Sequence, residues 1–247
     1  MQIEDYDTPA EQKFRKNFGN GWGTIISDGP APSGHSRQHH PHRADPGAVA
    51  GHGRAHPPAQ GLRIMGAWIT EKLDLDGAVI PVPLVLEKCT LVKDVSLHAC
   101  TIPALYLSGS HLPALIAQHL ICQGSRYLRH GFRAMGKVDL TGAKVTGQLD
   151  CSGGKFSAED VALDRSATTV GADVFLDGGF EAQGTINLIR ADISENLDLT
   201  GATLRKGFTA QGMRVGIWFI WRSLKSPGSA VDLFDAHVGT LMDQPGS

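Results

Sequence analysis

The thirty residues from Tyr127 to Phe156 recur without a gap 48 residues later as Phe175 to Leu204. The same register returns upstream in Leu62 to Ile80 and downstream in Val231 to Ser247. A chain that repeats itself at a fixed long spacing buries its apolar residues by stacking one copy on the next, so the repeat limits the architecture before local propensity is weighed.

Within a copy, small and apolar residues fall in pairs separated by one residue: Val138 and Leu140, Ala143 and Val145, Leu149 and Cys151, Gly154 and Phe156. Successive pairs advance by five or six residues, and the later copy keeps every place, from Ile186 and Leu188 to Ala202 and Leu204. An in-out-in triplet is a very short strand, because alternate side chains of an extended chain face opposite sides. On a helix, five residues would rotate a side chain by about 140° and scatter the inward set around the axis. Short strands joined by tight corners instead close a square coil in about 20 to 22 residues, and coils stacked at ~4.8 Å pair strand over strand.

The ladder continues through Leu84 and Leu86, Cys89 and Leu91, Val95 and Leu97, Cys100 and Ile102, and Leu105 and Leu107. It loses phase between Leu112 and Tyr127 and between Ser157 and Val174, stretches that read as loops or distorted corners. The expectation is an all-β parallel quadrilateral β-helix over residues 61–247, with eight or nine coils and a length of ~40 Å.

The triplets Ala67-Trp68-Ile69, Ala143-Lys144-Val145, Ala191-Asp192-Ile193 and Ala202-Thr203-Leu204 resemble a degenerate pentapeptide repeat, whose fold is a right-handed quadrilateral β-helix. Only some copies carry the acidic middle residue typical of that repeat. The longer phrase, as in Leu197-Asp198-Leu199-Thr200-Gly201-Ala202, resembles actinobacterial proteins commonly called membrane-associated oxidoreductases. The resemblance covers residues 61–247, including Trp218 to Ser247, with a short echo at Thr8-Pro9-Ala10-Glu11. Longer relatives continue into apolar, membrane-spanning segments, so the resemblance implies a chain truncated in its last repeat and, for the family, peripheral association with the inner face of the membrane. It also implies three readings: a non-catalytic scaffold or protein-interaction module, an oxidoreductase, and a DNA mimic acting on a topoisomerase.

Composition weighs on these readings. The longest uninterrupted apolar run, Ile217 to Trp221, has five residues, against about 20 for a bilayer span. The formal charge is −2, and residues 61–247 hold 17 Lys and Arg against 19 Asp and Glu, so neither a strongly acidic DNA mimic nor a basic nucleic-acid footprint is expected. No catalytic or cofactor-binding residue is assigned. Gly19-Asn20-Gly21-Trp22-Gly23 is a glycine-rich turn without the following helix of a dinucleotide site, and neither a Walker motif nor HExxH occurs. Cys89, Cys100, Cys122 and Cys151 lack CxxC spacing and fall at inward positions, where small apolar groups are needed. The polar, charged opening from Met1 to Gly19 lacks a secretory signal, which makes a reducing cytoplasm the default compartment.

Asp74, Asp150, Asp198 and Asp243 read as one repeat position pointing outward along one face. Such a column can bind cations, or its carboxylates can hydrogen-bond the corner backbone. Equivalent copies do not provide the unlike environments that acid-base catalysis requires.

Two segments fall outside the ladder. In residues 1–28, Thr8, Pro9 and Glu11 form a capping box that predicts a short helix to about Phe18. Residues 29–60 are rich in His, Pro and Gly and read as a disordered linker or an out-of-frame stretch; His39, His40 and His42 are the weak candidates for a metal site.

Ile217-Trp218-Phe219-Ile220-Trp221 is apolar in both phases. With Trp218 and Ile220 inward, Phe219 and Trp221 face outward as an interaction surface; the alternative is a distorted coil that hides them all. An unknown protein partner is expected, and an open last coil invites end-to-end or edge self-association.

Overall fold

The computed structural model describes residues 24–26, 61–225 and 230–243. They form a parallel β-solenoid of about eight turns, four strands to the turn, with no helix among the described residues. The first face stacks Leu62–Met65, Leu84–Glu87, Leu105–Tyr106, Arg126–Tyr127, Leu149–Asp150, Val174–Phe175 and Leu197–Asp198. The second runs from Trp68–Ile69 to Thr203–Leu204, the third from Leu73–Asp74 to Ala230–Asp232, and the fourth from Thr101–Ile102 to Asp192–Ile193. In the last turns Arg214–Trp221 and His237–Asp243 cross from the fourth face to the first as continuous strands. The expected helix near Phe18 and the His-rich linker lie outside the described residues. Thr24–Ile26 adds a parallel strand beside Arg63–Met65, which the sequence pattern did not suggest.

On the first face the chain returns to the same column after 21 residues from Leu84 to Leu105 and after 25 from Leu149 to Val174. The stretch between Leu112 and Tyr127, expected as a loop, is a regular part of the ladder with strands Leu115–Ile116 and Ile121–Cys122. Its corner at Pro113-Ala114 is one residue shorter than usual, which shifts the sequence phase without breaking strand pairing. The stretch between Ser157 and Val174 also carries ladder strands, Val161–Asp164 and Thr169–Val170. There a longer corner after Phe156 and a bulge between Val161 and Leu163 together absorb the extra residues.

The inward columns are almost wholly apolar. On the second face the rings of Phe132, Phe156 and Phe180 follow one another at 5.5 and 5.0 Å. They occupy alternating columns: Phe132 stands beside Ala134, Gly154 beside Phe156, and Phe180 beside Ala182. Each large ring is matched by a small residue in the other column, which lets neighbouring coils interlock at constant spacing. Ser110 and Thr168 are fully buried corner hydroxyls that donate to the carbonyls of Leu86 and Leu140, so their polarity is satisfied.

Corners leaving the first and third faces share one construction. The fourth residue donates its N–H to the carbonyl of the first, as Ala143 does to Leu140 and Ala202 to Leu199, and the third residue is left-handed: Gly142 at φ 65° and Gly201 at φ 69°. The Gly-Ala dipeptide of the repeat is the signature of this corner.

Two expectations follow. Gly201→Ala meets open space, so only the left-handed backbone opposes it, at about 1 kcal/mol; Gly142→Ala also drives a Cβ to 2.6 Å from Nδ1 of His119 and should lower the urea midpoint further. Phe156→Ala opens a cavity within the ring stack and should destabilise by about 3–5 kcal/mol, measured by the same titration.

Candidate interaction surface

The apolar run in the last coils adopts the phase opposite to the one expected for an outward Phe219 and Trp221. Phe219 is 1% exposed in the column of Leu197, and Trp221, half-buried, packs against Phe208 and Phe219 at ring distances of 5.7 and 5.8 Å. The reason lies in the register: Phe219 and Trp221 stand 22 residues after the inward Leu197 and Leu199. Trp218 is consequently outward, and Ile217 lies outward at the crossing between Val215 and Trp218, where the register shifts; each is 46% exposed. Trp218 occupies the column that holds Ser125, Gln148, Asp173, Asn196 and Thr240 on other coils. Its backbone N–H donates to Oδ1 of Asn196 at 3.1 Å. Gly216 lets the strand cross this edge, since a Cβ there would lie 2.0 Å from the Ser194 carbonyl. Leu241, on the next coil, pairs with Phe219 and so belongs to the inward column, not to the face that carries Trp218.

The aspartates separate into two columns. Asp150 and Asp198 lie on the first face with Phe175 between them, whereas Asp74 lies on the third; Asp243 pairs with Trp221, one step out of the Asp198 column. The single outward column expected from the sequence is therefore not formed. The same Leu-Asp-Leu phrase serves the first and third faces, half a coil apart. Most of these carboxylates are occupied in holding corners. Oδ1 of Asp139, Asp150, Asp164 and Asp198 accepts the N–H two residues on, from Thr141, Ser152, Ser166 and Thr200, and Asn187 does the same with Ile189. The second oxygens of Asp139, Asp150 and Asp164 meet cations from neighbouring positions: Arg129 reaches Asp150 at 2.7 Å, and Lys137 bridges Asp139 at 2.9 Å and Asp164 at 2.8 Å. Along the third face the carboxylates are interrupted by Ser96, Ile116, Asn187 and Thr209, so no continuous acidic stripe runs the length of that face.

All four cysteines are buried and unpaired. Burial pushes the Cys100 thiol up to about 11 and the Cys151 thiol to about 12. Such thiols are neutral and unreactive at physiological pH. His39, His40 and His42 lie outside the described residues, and no group of three metal-type side chains occurs among those described. A shallow open depression of about 330 Å³ on the fourth face is lined by Asp192, Ser194, Arg214 and His237. Among the described residues, no helix is long and apolar enough to cross a membrane.

Two buried groups escaped the sequence reading. Arg126 stands between Leu105 and Leu149 in an inward column, and Arg165 between Leu140 and Leu188. Their alignment with leucines was the available signal, and both fall in or beside the stretches where the sequence phase appeared lost.

Comparison with protein-family models, with curated proteins and with solved structures finds no match. The class therefore rests on the geometry: a four-faced parallel β-solenoid, with the repeat phrasing of a pentapeptide-like β-helix.

The Lys137 network makes the fold acid-sensitive in a defined window. Burial raises the Asp139 and Asp164 carboxyls, but hydrogen bonds outweigh it and hold both below the ordinary carboxylate value. Thr141, Lys137 and Gln118 supply them for Asp139, and Lys137 and Ser166 for Asp164. A depressed carboxylate contributes stability above its unfolded value of about 3.9 and loses it as pH falls through the folded value. D139N/D164N retains the corner-forming oxygen, as Asn187 shows. It should have a lower Tm at neutral pH and a shallower fall in Tm than the parent below about pH 4, in a pH series of thermal melts.

Proposed function

We propose that this chain is a non-catalytic repeat scaffold that presents a protein-interaction surface on its last coils. The observation that carries the reading is Trp218, an exposed indole in a column otherwise free of aromatic side chains, flanked by exposed Ile217. A tryptophan buries a large amphipathic surface when a partner covers it and gains little for the isolated rod. Two further features support a scaffold over the oxidoreductase that the resemblance implies. The thiols are buried, burial raising the pKa of Cys89, Cys100 and Cys151, and many outward carboxylates are already committed to corners and ion pairs. The interrupted carboxylates of the third face likewise favour it over a DNA mimic. Association with the inner face of a membrane, the location implied by the resemblance, would draw on the same exposed residues and forms a separate arm of the test.

I217S/W218S should retain the β-rich circular dichroism spectrum and thermal transition of the parent. Light scattering after size-exclusion chromatography reads self-association, crosslinked pull-downs from the native cell read protein partners, and vesicle co-sedimentation reads lipid binding. A protein association that Trp218 governs should drop at least tenfold in I217S/W218S. Unchanged protein association in the variant, or loss confined to vesicles, overturns the proposal. F219S, by contrast, should unfold, because it places a hydroxyl among Phe208, Trp221 and the core.

A further inference from the structure

Arg126 and Arg165 are the two largest fully buried side chains in the solenoid, each 0% exposed. They replace leucine in inward columns on adjacent coils, Arg126 on the first face and Arg165 at the corner leaving the third. Nε, Nη1 and Nη2 of both guanidiniums lack a hydrogen-bond partner. In a protein interior the large majority of polar groups are satisfied, and an orphaned set of this size calls for an acceptor. The two guanidiniums are close enough to repel one another and both lie in the field of Cys151, with Cys122 also beside Arg126. Cys122 lies within interaction range of Arg126, but its Sγ faces the carbonyls of Gly124, Pro103 and Ser125 at 3.5 to 3.9 Å, which suits a thiol donor, and its contact leaves all three Arg126 nitrogens without a well-formed hydrogen bond. The nearby carboxylates are outward and engaged, Asp150 with Arg129 and both Asp139 and Asp164 with Lys137.

The protonation chemistry leaves the charge in place. Burial draws Arg165 down to about 10, still cationic at neutral pH. Cys151, pushed by burial to about 12, is a neutral thiol there. Burial lowers Arg126 as well, but a guanidinium keeps its proton in proteins; two cations thus share an apolar interior without a carboxylate partner, and an enclosed monovalent anion offsets one of the two charges while accepting hydrogen bonds from both forks. Two guanidinium forks offer up to ten N–H donors between them, and the neutral Cys151 thiol can add another.

We propose that the interior of the solenoid around Arg126 and Arg165 is a binding site for one small monovalent inorganic anion of the halide class, enclosed as the coils close around it. Its enclosure makes it a structural ion, slow to exchange and required for the two arginines to be tolerated in leucine columns.

The full chain is unfolded in denaturant, refolded in sodium bromide and desalted by gel filtration, and retained bromide is measured by elemental mass spectrometry. The expected result is one bromide per folded chain, released on unfolding. R126L/R165L, which restores the leucine of the neighbouring coils, should fold and retain none. C151A should still retain bromide. Folded parent protein without bromide overturns the proposal, as does equal retention in R126L/R165L. Absence of bromide together with a thiolate absorbance that disappears in C151A overturns it in favour of an internal Cys151 counter-charge. The parent measurement decides the matter even where a variant does not fold.

Discussion

Every feature of this molecule depends on the parallel hydrogen-bond ladder that joins each coil to the next. Strands of two residues have no independent stability, so each is held by the one before and the one after it in the stack. Corners take part as well: Leu97 donates to Ile116, His119 to Thr141 and Gly142 to Ser166, which carries the ladder around the bend. With backbone spacing imposed in this way, side chains must fit a fixed layer thickness. The alternation of Phe132, Phe156 and Phe180 between two columns, with Ala134, Gly154 and Ala182 opposite, is one solution to that constraint.

The same constraint explains what could be read from the residues alone. Period-two alternation with a five- or six-residue step has one compact solution, so the solenoid and its number of turns were legible from pairs such as Leu149 and Cys151 or Leu197 and Leu199. What was not legible was which face a phrase occupies. Leu73-Asp74-Leu75 and Leu149-Asp150-Cys151 look equivalent, yet they lie on opposite faces, because the corner chemistry repeats every half coil. Local sequence records the corner, and only counting around the whole coil records the face. The shortened corner at Pro113 and the bulge at Val161 illustrate the complementary failure: both alter spacing while leaving the ladder intact.

The apolar run at Ile217 to Trp221 shows how register outranks composition. Judged by its own residues, either phase was acceptable. Judged by the preceding coil, Phe219 and Trp221 had to follow Leu197 and Leu199 inward, because a one-residue slip would expose the whole inward set. That leaves Trp218 outside as a consequence of pairing, in a column where nothing in the rod needs an aromatic ring. The carboxylates make the converse point. A row of aspartates suggests ion binding, but the corner N–H groups at Thr141, Ser152, Ser166 and Thr200 claim one oxygen of each, and Asn187 forms the same corner without a charge.

A solenoid confines a change to the coils that touch it, which separates two kinds of departure from the repeat. An outward exception such as Trp218 leaves the ladder and the inward columns as they were, so a surface can be added to one coil while the rest remains plain scaffold. An inward exception has no such freedom. Arg126 and Arg165 each sit between leucines above and below, in layers whose thickness the backbone sets, and their charge must be answered within those layers. Their occurrence on adjacent coils, rather than scattered along the rod, places two unanswered charges in neighbouring layers, each in the other's field.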